Sequence, residues 1–403
     1  MKVSPVILAL IGGCLVPSVL QAQIEFGAGG HQIRAHGFLS EGFASSTANN
    51  YLRMTTSHGS FFTEAGLNLS SQLTERLHTG AQVYERKIGE LGKGKVYLDW
   101  AFVDYHWKDW MGFRGGKVKT ALGLYTDTQD QAFLHTWALL PQSVYPVDLR
   151  AVTVAHVGGD IYGNIGIRSG GSLSYTAFAG SIPYDKRGGY QYGIQALGGN
   201  VTGDPEGKMV GTDLRWNSPV SALILGSSLV YNHRSLILTQ GASPVRFLYS
   251  TKRDRVMAFY AQYTVGRFHA DAEYRSQKRR AEISTDTASH QVVARPGSDE
   301  PASFVSGSYR LSKWMEVGSY YSHYRVTLTN PVVPVTGPGR DHIFDKVVTL
   351  RLDLTRFWTF KAEGHFMDGV GSPAQAHGFY PQDNPQGLLP TTKMLALRTS
   401  WYF

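Results

Sequence analysis

KMLALRTSWYF, residues 393–403, closes the chain, and its reading decides the fold. Side chains on an extended strand alternate between two faces. Leu395, Leu397, Thr399, Trp401 and Phe403 therefore share one face, and Met394, Ala396, Arg398, Ser400 and Tyr402 share the other. In water, an apolar row carried to the last residue of a strand is a template for aggregation. In a bilayer it is what a closing barrel strand requires, because a membrane-crossing strand takes about 9–11 residues with a lipid face opposite a polar lumen.

The same code is written elsewhere. Phe268, Ala270, Ala272 and Tyr274 oppose His269, Asp271, Glu273 and Arg275; Phe360, Ala362, Gly364 and Phe366 oppose Lys361, Glu363 and His365. Burying such charges unpaired in a dry core costs several kcal/mol each. A water-filled lumen removes that cost, so these seven polar groups are predicted to line one. Gln32 to Phe43, with Arg34 and His36 on one phase, is the first strand, and Phe61–Ser71 with Leu77–Glu85 forms a hairpin with one dry and one wet face. Val96–Trp107 and Met111–Lys119 pair across Lys108-Asp109-Trp110. Leu98, Trp100 and Phe102 read as outward there, and Asp104 falls on the same phase, which fits only at a polar rim or a subunit contact.

Sixteen candidate strands result, ending with Ile343–Leu354, Trp358–Met367 and Lys393–Phe403. The expected fold class is all-β: a transmembrane antiparallel barrel of about sixteen strands. Its connections alternate in length. Short corners such as Leu311-Ser312-Lys313-Trp314 and Thr355-Arg356-Phe357-Trp358 read as periplasmic turns with girdle aromatics; Pro183–Lys208, Ser235–Arg253, Lys278–Pro301, Thr329–Asp341 and Asp368–Thr392 read as extracellular loops.

Upstream, Lys2, the apolar run Val6 to Val16 and the boundary Leu20-Gln21-Ala22 read as an export signal spanning 1–22, followed by a single barrel domain over 23–403. The lone Cys14 falls inside that leader, and loss of Lys2 lowers the formal charge from +8 to +7. The basic residues are dispersed, which does not suggest nucleic acid as a partner. No cofactor is implied: the fourteen His residues form no recognised zinc spacing. Gly89-Glu90-Leu91-Gly92-Lys93-Gly94-Lys95 has phosphate-loop spacing, but Val96 stands where Ser or Thr would ligate magnesium. Asp127 to Asp130 could hold calcium with help from backbone oxygens.

The C-terminal strand resembles the last strand of Gram-negative outer-membrane β-barrels, which typically ends in Phe. After Met111–Lys119 comes a long stretch, Gly123 to Val147, whose Phe133, Leu134, Trp137, Leu139 and Leu140 suggest a loop packed against something. The runs Leu98-Asp99-Trp100, Gly116-Lys117-Val118-Lys119, Gly123-Leu124-Tyr125, Leu140-Pro141-Gln142-Ser143 and Tyr145-Pro146 look like those of proteobacterial porin-like proteins, and general-diffusion porins fold such a loop inward to narrow the pore. The resemblance implies a homotrimer in outer-membrane lipid and lipopolysaccharide, passing small hydrophilic solutes. It also implies recognition of Trp401, Tyr402 and Phe403 by the outer-membrane assembly machinery. An inward loop makes Asp127, Asp130 and His135 the expected acidic side of a constriction. The facing basic wall would hold Arg34, His36, Arg114, Lys117, Lys119 and Arg398, with a bulge at Gly115-Gly116 turning all three fifth-strand cations inward. Passive diffusion with a mild anion preference follows. A substrate-specific or gated transporter and an outer-membrane enzyme are the alternatives; the former would want an N-terminal plug, and the latter a nucleophile and base that cannot be assembled here.

Overall fold

Period-two alternation marks sixteen stretches of the described chain, and each of them is a strand. A computed structural model describes residues 24–403 apart from 29–30, 56–58, 187, 221, 333–336, 338 and 373–376; the expected leader lies outside the described residues. Sixteen strands form the wall: β1 His31–Ser46, β2 Ser60–Gln72, β3 Leu77–Ile88, β4 Leu91–Lys108, β5 Met111–Lys119, β6 Ala155–Gly166, β7 Ser172–Ser181 and β8 Gly199–Asn217. The second half comprises β9 Leu223–Gln240, β10 Arg246–Val265, β11 Phe268–Thr285, β12 Gly297–Arg310, β13 Met315–Arg325, β14 His342–Thr355, β15 Trp358–Asp368 and β16 Thr391–Tyr402.

Each strand pairs antiparallel with the next, and β16 closes on β1 from Met394↔Ser46 to Tyr402↔Phe38. Closure leaves no long edge to aggregate. Phe403 extends the seam, exchanging backbone hydrogen bonds with Gly37 at 3.1 and 3.0 Å. Ile24–Ala28 folds back on β1 just beyond the end of β16, as a short hairpin.

The two faces are inverted relative to a soluble domain. Leu395, Phe366, Phe259, Val305 and Val348 are exposed on the outside, while Lys361, Glu363, His365, Asp271 and Glu273 are buried inside. Such a continuous apolar exterior suits lipid. At the short-turn end Trp107 and Trp110 flank Lys108, and Trp358 stacks on Trp401 at 5.4 Å, the position of an interfacial aromatic girdle. No described helix is long and apolar enough to cross a membrane.

Three sequence expectations change. Strands β8–β11 run 18–20 residues, so much of Pro183–Lys208, Ser235–Arg253 and Lys278–Pro301 is wall, not loop. At about 3.3 Å per residue these strands reach roughly 60 Å, twice the ~30 Å hydrocarbon core. Their upper halves stand in water, where neither face has to be apolar. Secondly, Asp99 is an extra residue in β4, because the β3 register jumps there from Trp100 to Leu98. This bulge reverses the phase: Leu98 points outward as expected, but Trp100, Phe102 and Asp104 point inward, and Asp104 meets Arg114 and Tyr162. Thirdly, β5 keeps unbroken register past Gly115-Gly116 with both neighbours. Lys117 therefore shares the outward phase of its partner Val157, and its Nζ donates at 2.7 Å to the Leu98 carbonyl beside the β4 bulge.

Candidate functional site: an inward loop between two chambers

Residues 120–154, between β5 and β6, fold into the barrel. The turn inward is made at Gly123, at φ +82°, where a Cβ would lie 2.3 Å from a Glu273 carboxylate oxygen. Only a residue without a side chain fits both demands. Irregular backbone at this depth is tolerated only where its polar groups find partners, and the charged wall residues supply them.

On the β9–β11 side, the Gly123 N–H donates to Ser228 Oγ at 2.9 Å and the Leu124 N–H to Glu273 at 3.0 Å. The Tyr145 hydroxyl also donates to Glu273, the Tyr125 hydroxyl to Asp271, and Arg275 donates to the Val144 carbonyl at 2.8 Å. Across the lumen, Lys361 Nζ donates to the carbonyls of Ala132, His135 and Trp137 at 2.5, 2.5 and 2.8 Å. Beside it Glu363 accepts from the N–H groups of Ala138 and Leu139, and Arg351 donates to the His135 carbonyl. On β3 and β4, Asp99 receives a bidentate Arg150 at 2.7 and 2.6 Å, and Arg86 reaches the Val147 carbonyl. Apolar contacts complete the docking: Phe133 stacks on Tyr402 at 4.2 Å, and Trp137 stands edge-on to Tyr320 at 5.0 Å.

Two cavities lie on either side and share no lining residue. The one at the long-loop end, about 990 Å³, is walled by the raised parts of β9–β12, the helix Gly189–Ala196 and the upper surface of the loop. Its lining holds Arg234, Arg275, Arg279 and Arg295 against Glu300, with aliphatic and aromatic side chains between. The one at the short-turn end, about 510 Å³, has mixed charge: Asp127, Asp271 and Glu316 with Arg215, Arg267, Arg310 and Arg351.

Buried titratable groups in the loops are displaced from their ordinary ranges. Desolvation lowers His135 to about 4, against the pull of its hydrogen bond to the Thr128 carbonyl. Desolvation raises Asp148 to about 6, although the Tyr380 hydroxyl and Gly378 N–H both donate to it at 2.5 and 2.9 Å. His377, against Tyr324, is lowered to about 4, again by burial.

No family model matches the sequence, and no curated protein does. Solved structures do. The outer-membrane channel DcaP of Acinetobacter baumannii superposes with a TM-score of 0.57 at 8% identity, covering 94% of this chain and 99% of that one. OmpT of Vibrio cholerae in its trimer form gives 0.52 at 10%, covering 93% and 99%. An anion-selective porin from Comamonas acidovorans gives 0.51 at 11%, covering 93% and 100%. The fold is that of the outer-membrane porins.

Within this porin fold the expected site residues disperse. Asp127 is exposed toward the lower chamber, but Asp130 is buried, accepting from Gln82 at 2.8 Å and Lys119 at 2.9 Å. That pair ties the loop to its own strand, and among the described residues no group of three or more potential metal ligands forms. His135 is buried within the loop, its ring nitrogen on Thr128. Arg398 faces the loop as expected, bonding the Ala138 carbonyl and Glu64. The rest of the basic wall does not oppose it. Arg114 lies beside Asp104 and Asp160, Lys117 is on the outward phase, Arg34 pairs with Glu25 at 3.2 Å, and His36 sits opposite Asn68 near the short turns. His269, Asp271, Glu273, Arg275, Lys361, Glu363 and His365 all point inward, yet the loop covers most of them. Arg310 and Arg351 were missed although alternation puts them inward. Arg279 was missed because its stretch read as a loop, and Arg234 because it fell just ahead of the stretch from Ser235 that read as one.

Proposed function

We propose that this chain forms an outer-membrane channel for passive diffusion of small hydrophilic solutes, narrowed by residues 120–154 and mildly anion-preferring. One observation carries the reading: an apolar exterior surrounds a charged interior that holds two cavities, with an infolded loop between them. Such an interior has no use in a packed domain and a direct one in a conduit. The anion preference now comes from other residues than the expected wall. Four arginines against one glutamate line the upper chamber, and arginines outnumber carboxylates in the lower one. Charge of one sign in a low-dielectric cleft raises the local concentration of counter-ions.

Short turns face the periplasm in this reading, the barrel sits in lipid and lipopolysaccharide after export and cleavage of residues 1–22, and Trp401, Tyr402 and Phe403 are read during assembly. Trimerisation is part of the same proposal, supported by the trimer form of the Vibrio protein. The dense lacing of the loop to opposite walls favours a second reading, a substrate-specific or gated channel. No enzymatic step is assigned.

Single-channel conductance of the refolded protein in a planar bilayer, with the reversal potential across a salt gradient, tests the proposal. Stepwise conductance with anion preference is expected. Folded protein without conductance would overturn the open-channel reading, and a cation-selective potential would overturn the role given to the arginines.

A further inference from the structure

We propose that the upper chamber is a binding site for organic anions with an apolar body, of the class of aromatic and branched aliphatic carboxylates, and that Arg234 receives the carboxylate. The inference rests on the chamber alone and holds whether or not solutes pass the loop.

The cavity's size of about 990 Å³ is at the upper end of the range for small-molecule sites. Its walls are unlike those of a conduit for inorganic ions. Leu236, Leu238, Phe247 and Ile283 come from neighbouring strands, and Ile194 and Leu197 descend from the segment across the mouth. Contact with such walls is favourable for a ligand that has apolar surface to bury, at about 25 cal/mol per Å². A small hydrated anion gains nothing from them and loses water. Arginines outnumber carboxylates in the lining, which selects a negative ligand over a positive one.

Arg234 is singled out by what it lacks. Arg275 is committed to the Val144 carbonyl and Glu273, and Arg279 stands 3.6 Å from Asp254 and 3.7 Å from Glu300. Arg295 stands 3.5 Å from Glu282, whereas among the described residues no carboxylate lies within ion-pair distance of Arg234; its buried Nε, like that of Arg275, has no hydrogen-bond partner. A guanidinium so placed presents donors in the fork geometry that matches a carboxylate. The backbone holds it there. Against β10 the register shifts between Tyr231 and Ser235, across this residue; against β8 it stays in register opposite Gly207, and its N–H donates to Thr251 Oγ1 at 2.7 Å. The guanidinium carbon lies 5.0 Å from the centre of the Tyr190 ring, so an aromatic face is already in place beside the charge.

Isothermal titration of the refolded full chain with phenylacetate tests the assignment, with acetate and phenylacetamide as ligands lacking the apolar body and the charge. Phenylacetate is expected to bind at least tenfold tighter than either. R234Q should weaken phenylacetate about tenfold, and Leu238→Asn should weaken phenylacetate while leaving acetate unchanged. Both variants lie above the membrane zone, and heat-modifiable migration on gels checks that the barrel has formed. Equal binding of acetate and phenylacetate, or full affinity in folded R234Q, would overturn the proposal. Binding without conductance would sink the open-channel reading and leave this site standing; conductance without binding would do the reverse.

Discussion

The two chambers are walled by the same strands and built on different rules. Below the loop, the wall lies within the membrane zone: outward residues are mostly apolar, inward ones mostly polar or charged, and the cavity is lined by opposed acids and arginines. Above it, β8–β11 rise past the bilayer, register shifts interrupt them, and apolar side chains turn inward toward four arginines. Lipid enforces the lower pattern from outside. Nothing outside enforces the upper one, so its inner surface is free to suit a ligand. The loop lies between the two chambers.

Removing the partition should have the largest effect. Lys361→Met removes a donor shared by three loop carbonyls; His135 keeps Arg351 and Ala132 keeps the His135 N–H, so the Trp137 carbonyl is the one left unsatisfied, at about 1–3 kcal/mol while it stays buried. The loop is expected to leave its docked position and single-channel conductance to at least double in folded protein. Unchanged conductance would mean that the remaining anchors hold the loop without Lys361.

Next in size is the change in selectivity on Arg275→Gln. Arg275 lies at the floor of the upper chamber and pairs with Glu273 at 3.0 Å. Loss of its charge leaves Glu273 uncompensated, so the reversal potential should move toward cations by several millivolts. A potential that stays put would place the selective step elsewhere along the pore.

The loops also carry opposing proton linkages. His135 and His377 are lowered to about 4, so their contribution to the folded state is present above their unfolded value of 6.5 and is lost as pH falls through 4. Asp148 is raised to about 6, so its contribution is present below 3.8 and is lost as pH rises through 6. Between about pH 4 and 6 the unfolded chain holds two extra histidine protons and the folded chain one extra aspartate proton. Stability from these groups then rises with pH by about 1.4 kcal/mol per unit. Asp148→Asn removes the offset, and the acid-side fall in thermal midpoint should steepen. Parallel profiles for the two proteins would overturn the assignment.

How much of this was legible follows the same division. The faces of β11, β15 and β16 could be read because lipid makes period two compulsory. The inward loop was legible as length plus apolar content, with Phe133, Trp137 and Leu139 now packed inside. What filled the lumen was not: alternation shows that Lys361 and Glu363 face inward, but not that backbone awaits them there. Asp99 shows why phase reading failed locally. A bulge inserts one residue, leaves no composition signal, and reverses every face beyond it, so Trp100 and Phe102 were assigned to lipid.

Arg34 gives the smallest effect and the sharpest contrast with Arg398, because the sequence put both on one basic wall. Arg398 is buried and bonds the loop at the Ala138 carbonyl, 3.1 Å away, and it also pairs with Glu64. Arg34 sits at the short-turn end, where β1 pairs with Ile24–Ala28, and its side chain is 57% exposed beside a Glu25 that is 43% exposed. An ion pair in water contributes little and is screened within about 10 Å at 0.1 M salt. Arg34→Ala should therefore shift stability by less than about 0.5 kcal/mol and leave both conductance and reversal potential where they were, whereas Arg398→Ala should disturb all three. A selectivity change in R34A would return that residue to the pore and show that current is limited at the short-turn mouth, outside both chambers.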